Sequence, residues 1–175
     1  MDKNRDKSNV LIRSGFSLVE IIIVIAIMAI LIGVIALAVL PNIQRSRESK
    51  DLTKLDNILA STNIAIANNQ IGEAGKFEIG GSTPPEAGSV SKKIYDAVEE
   101  ELGDLTNITL ESSAAVGHGN IKVGWIVTNP SAPHIVVQLG DGNVACQYTT
   151  GDPSDSSGNR LFKVEAGSGA DPFVP

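Results

Sequence analysis

The chain has 175 residues, with 14 Lys and Arg against 20 Asp and Glu, for a formal net charge of −6. An acidic surface of this kind repels phosphate backbones, so no nucleic acid partner is expected, while the net charge favours solubility. Cys146 is the sole cysteine, which excludes an intramolecular disulfide and leaves any extracellular part to hold together without that staple. The length suits one membrane segment plus one modest soluble domain.

Residues 1–15 are polar and basic, with Lys3, Arg5, Lys7 and Arg13 against Asp2 and Asp6, and they end in Gly15. From Phe16 to Leu40 the sequence is almost unbroken apolar, and Glu20 is its one carboxylate. A helix of roughly 20 apolar residues crosses a bilayer. A charge at the middle of such a span costs about 2.5–3.5 kcal/mol on insertion scales, so Glu20 calls for a partner. A secretory signal peptide carries its small-residue cleavage site after the apolar core; here Gly15 precedes it. Two readings fit that order: a cut after Gly15 that keeps the helix, or an uncleaved signal anchor with a basic tail.

The stretch Gly15-Phe16-Ser17-Leu18-Val19-Glu20 resembles the processing motif of type IV prepilins, and the likeness extends to about Gln44. The resemblance implies that a prepilin peptidase cuts after Gly15 and methylates the new amine of Phe16. It also makes Glu20 the signature acid that sets subunit register. The new amine lies four residues from Glu20, about one helical turn. With an axial shift between stacked subunits, Glu20 of one copy meets the amine of the next, and two charges costly in apolar surroundings neutralise each other. A contact within one subunit, or stabilisation of a first-turn acid by the helix dipole, is the local alternative.

Within the span, Ala26, Ala29, Gly33 and Ala36 fall on one stripe. Ala29 and Gly33 form a small-xxx-small pair of the kind that lets helices approach closely in a membrane, although small residues are common in any span. Pro41 removes a backbone donor and crowds the preceding turn, so a kink or an unwound stretch is expected between Gly33 and Pro41. Both residues lie about one turn beyond the commonest positions in the family that the chain resembles. The basic residues flanking the span nearly balance, so the positive-inside rule gives no orientation; the resemblance implies a cytoplasmic leader.

Beyond Pro41 the pattern turns amphipathic. Leu52, Leu55, Leu59, Thr62 and Ile66 recur at steps of three and four, with Ile58 widening the stripe, and Arg45, Arg47, Lys50, Asp51 and Lys54 are assigned to the other faces. One helix is predicted from Phe16 to about Gln70, stopped by Gly72, with a length of about 80 Å. Residues 72–88 are rich in Gly, Pro, Ser and Glu and are read as a loop. A short helix is predicted over 91–102, ended by Gly103. Strands are predicted over 108–110, 121–127, 135–139, 144–148 and 161–164, with Gly140-Asp141-Gly142 as a tight hairpin. No helical pattern interrupts this series, so an antiparallel meander is expected.

The chain then divides into a cleaved leader (1–15), a transmembrane or filament-core helix (16–40), its amphipathic continuation (41–70), a connecting loop with a short helix (71–103) and a sheet region (104–175). The fold class is α+β, a long N-terminal helix on a C-terminal antiparallel sheet, which is the type IV pilin architecture.

No catalytic set is found and no enzyme, cofactor or metal is expected. His118 and His134 are isolated in turn-like contexts and are read as solvated. Cys146 is read as a buried structural thiol and Trp125 as core. The loop 151–159, with Asp152, Asp155 and Asn159, is oxygen-rich, but it lacks the EF-hand order and closing glutamate; an exposed acidic turn is the favoured reading over calcium binding.

The resemblance implies a structural subunit of a type IV pilus, held in the cell membrane as a precursor and then polymerised into an extracellular filament for adhesion, twitching-type motility and biofilm growth. Its implied partners are other copies of itself, prepilin peptidase, an assembly ATPase and an inner-membrane platform protein. The size of the soluble domain favours a major pilin, and the missing disulfide pair points to a Gram-positive, clostridial-type source. The alternatives are a minor pilin or pseudopilin of type II secretion or DNA uptake, and an anchored binding protein that never polymerises.

Overall fold

The computed structural model describes residues 15–81, 83–129, 132–147 and 160–174. The elements in order are α1 (Leu18–Asn68), β1 (Gly75–Ile79), α2 (Val90–Leu102), a 3-10 turn (Leu105–Asn107), β2 (Ile121–Ile126), β3 (His134–Leu139) and β4 (Lys163–Ala166). The chain divides into two compact units between Leu40 and Pro41, inside α1.

In the first unit every described residue is exposed. Large side chains stand open all round the helix, from Phe16 at 84 % to Leu37 at 79 %, and mean hydropathy over an 18-residue window reaches 3.4. Burying one such side chain is worth about 1.5–3 kcal/mol, so water is the wrong solvent for this segment. Of the two forms expected between Gly33 and Pro41, the unwound stretch is not present: residues 33–41 are helical throughout. Pro41 deletes a single backbone bond, and the Ile, Leu, Val and Ala residues ahead of it form enough helical bonds to carry the helix across the gap.

In the second unit, α1 lays Leu52, Leu55, Ile58, Ala65 and Ile66 against the sheet. The sheet is antiparallel in the order β1-β2-β3-β4. Side chains alternate across a strand, so the register places Phe77, Val123, Val137 and Val164 in one inward row and Ile79, Ile121 and Leu139 in the next. Trp125 is fully buried, and its indole N–H donates to Glu73 O at 2.9 Å. Gly75 pairs with Trp125; a Cβ there would stand 2.4 Å from the indole ring, so the ring fills the space that glycine leaves. Phe77 meets Trp125 and Tyr95 edge-on, and α2 closes the core with Ile94, Tyr95 and Val98. Ser89 caps α2 by accepting from Lys92 N–H.

Four expectations need correction. The segment 72–88 contains β1, whose Phe77-x-Ile79 alternation is masked by the surrounding Gly, Pro and Glu. Residues 108–110 are not a strand; they follow the 3-10 turn, and Lys54 Nζ holds Thr109 O at 2.8 Å. The Gly140–Gly142 turn forms, with Gly142 N–H donating to Leu139 O at 3.0 Å. Its second arm does not join the sheet, because β4 occupies the free edge of β3. Residues 144–147 instead pair with the chain before β4, through the Ala145–Leu161 bridge and the bond from Cys146 N–H to Arg160 O. Finally, α1 is stopped by Gln70, not by Gly72. Gln70 takes the left-handed conformation at φ 50°, Ile71 N–H reaches Ile66 O, and Gln70 N–H reaches Ala67 O. This is a Schellman cap, with Ile71 packed on the core beside Ile66.

Candidate processing and assembly segment

Gly15, Phe16 and Ser17 precede the first helical residue, Leu18, in exposed, non-helical backbone. The Gly15–Phe16 bond thus lies in the accessible chain that a peptidase needs. Ser17 stands at the N-cap position and Glu20 three residues later, the spacing of a capping box. Glu20 Oε2 accepts Ser17 N–H at 2.8 Å, satisfying a donor that the helix start would leave unpaired. Its other oxygen makes no hydrogen bond among the described residues. The local role left open by the sequence is therefore occupied, and one oxygen remains for an outside cation. Ala29 and Gly33 are exposed, and a Cβ at Gly33 would meet nothing within 4 Å.

After Pro41 the polar side chains of α1 do work that the sequence pattern assigned to solvent. Asp51 is fully buried. Its carboxylate accepts Glu111 N–H at 2.9 and 3.0 Å and Ser112 N–H at 2.8 Å. Glu48, also fully buried, accepts Gln147 N–H at 2.7 Å. Lys54 bonds Thr109 O and Glu111 Oε1. Glu48, Asp51 and Lys54 recur every three residues, so one face of the helix pins two loops that lack strand partners. Extending the Leu52–Ile66 stripe back by four residues lands on Glu48, the signal that could have exposed this face.

Cys146 is buried beside this face. Burial pushes its thiol up to about 11, the Glu48 and Asp51 carboxylates add to the rise, and Arg160 opposes it. Such a thiol stays protonated and inert near neutral pH. His118 is exposed, but His134 is not solvated: it is 6 % exposed, with Nδ1 2.9 Å from Ala170 O. A carbonyl only accepts, so Nδ1 carries the proton. The C-terminal segment covers His134, and position 134 is a strand residue rather than the turn inferred from Pro133. Among the described residues no cluster of three or more His, Cys, Asp or Glu suits a metal. The leader residues 1–14 and the candidate calcium loop 151–159 lie outside the described residues, as does Tyr148.

No curated protein and no solved structure matches the chain. Residues 12–39 match the family model of the prokaryotic N-terminal methylation motif, the prepilin-type signal. The match takes in Gly15, Phe16, Glu20 and most of the apolar helix, so the chain is pilin-like or pseudopilin-like at its N-terminus and fits a membrane-anchored precursor acted on by prepilin peptidase in a pilus-assembly context.

Proposed function

We propose that the chain is the structural, non-catalytic subunit of a type IV pilus. Prepilin peptidase cuts between Gly15 and Phe16 and methylates Phe16. An assembly ATPase and an inner-membrane platform protein then draw the subunit out of the bilayer into a helical homopolymer. The observation that carries this reading is the methylation motif joined to an apolar helix whose residues 16–40 are all exposed. Polymerisation replaces lipid around residues 16–40 with copies of the same helix. The net gain per apolar area is then small, and close packing must supply the difference; Ala29 and Gly33 offer the surface for it. Glu20, with one oxygen spent on its own helix cap, sets register by pairing its other oxygen with the amine of a neighbour. The surface fibres serve adhesion, motility and biofilm growth in a Gram-positive, clostridial-type cell, where the subunit needs no disulfide.

The test replaces Gly15 and, separately, Glu20 by alanine. Gly15→Ala is expected to leave the longer precursor in the membrane, and Glu20→Ala to be processed yet to yield few fibres. Normal mature protein and normal fibres from both variants would overturn the reading. If fibres made mostly of this chain never form while processing is intact, the pseudopilin or minor-pilin alternative takes its place.

A further inference from the structure

The outer face of the sheet carries a recess that the assembly reading does not use. The register sets Glu78, Lys122 and Gln138 side by side across β1, β2 and β3. Next to them the C-terminal segment fills the space over Gly124: a Cβ there would stand 2.9 Å from the Phe173 ring. A recess of about 470 Å³ beside it is lined by Lys76, Phe77, Glu78, Lys122, Gln138, Asp141 and Phe173, and it falls within the roughly 300–1,000 Å³ typical of small-molecule sites.

Gln138 is the telling residue. It is 4 % exposed, and its side-chain amide makes no hydrogen bond among the described residues. Among the described residues the buried side-chain atom left unpaired is Ser112 Oγ, so the small exposed part of Gln138 includes its amide, which opens to the recess and is free to bond a molecule placed there. The turn above it is shaped to match. Gly142 has φ 84°, and a Cβ there would stand 2.6 Å from Gln138 Oε1, so any other residue would press on the amide. Lys76 and Lys122 balance Glu78 and Asp141, so the lining has no net charge with which to hold an ion. It offers ammonium and amide donors, carboxylate and amide acceptors, and the Phe173 ring.

We propose that this recess binds an uncharged, polyhydroxylated ring, a hexopyranose unit of a glycan. The hydroxyls pair with Gln138 and with the Lys122 and Asp141 side chains, and the C–H face of the sugar lies on Phe173. The site belongs to the sheet and stands whether or not the chain polymerises. Saturation-transfer NMR on the full-length protein in nanodiscs tests it, with glucose, galactose and N-acetylglucosamine at millimolar concentration as probes. At least one sugar is expected to receive saturation, with Gln138→Leu abolishing the transfer. Asp141→Asn, a change at an exposed residue, keeps the test decisive should Gln138→Leu fail to fold; it is expected to weaken binding roughly tenfold, the worth of a hydrogen bond to a charged group. No transfer to any of the three sugars, or undiminished binding by Asp141→Asn, overturns the proposal.

Discussion

Asp51 and Cys146 show how one helix face governs its surroundings residue by residue. The Asp51 carboxylate satisfies two loop N–H groups in a fully buried setting. Removing it strands both donors, at about 1–3 kcal/mol each. Asp51→Ala is therefore expected to lower unfolding stability by about 3 kcal/mol, read as a shift in the urea midpoint, whereas Lys50→Ala on the exposed side should shift it by less than about 0.5 kcal/mol. For Cys146 the native pKa is raised above the unfolded value. Its contribution to stability is thus fully present below the unfolded pKa and is lost as pH rises through about 11. At pH 8 the native thiol is expected to resist iodoacetamide and to react once urea unfolds the chain; rapid labelling of the native protein would contradict its burial.

Elements differ in how openly the sequence declares them. The stripe from Leu52 to Ile66, helix α2 and the cores of β2 and β3 follow from spacing alone, because each buries a face whose period is its own. What escaped detection depends on partners distant in sequence. Strand β1 takes one edge of β2, and residues 144–147 miss the sheet because β4 holds the edge of β3. Asp51 reads as lying off the apolar face until the loop it holds is in place. The end of α1 carries a cost of its own, since Gln70 sits in the left-handed region that disfavours a side chain by about 1–2 kcal/mol. Gln70→Gly is expected to raise stability by about 1 kcal/mol, visible as a higher melting temperature; a drop would mean that the side chain makes contacts that matter. At the other end of the chain, Phe173 N–H and then Lys163 hold the Asp171 carboxyl below its usual range. A depressed carboxylate stabilises above its unfolded pKa, and that stability disappears as pH falls through the lower native value. Asp171→Asn should therefore flatten the acid limb of the stability curve.

For the whole molecule, two demands meet in a single helix. Residues 16–40 present exposed apolar surface on every side, while α1 from Pro41 onward is bound to its sheet and loops by core packing and by Glu48, Asp51 and Lys54. A lipid anchor before assembly and a bundle of identical helices after it would each satisfy the first part without disturbing the second. That division explains why the N-terminal segment was legible from sequence: its chemistry depends on local residues, Gly15, Phe16, Glu20 and the apolar run. The recess around Gln138 was not legible, since three strands and the C-terminal segment must come together to form it. The most direct test of the filament reading is mass spectrometry of the N-terminus of this chain in fibres sheared from the cell surface. The expected result is a chain beginning at Phe16 with a methylated amine; fibres whose chains keep the residues before Phe16 would contradict it.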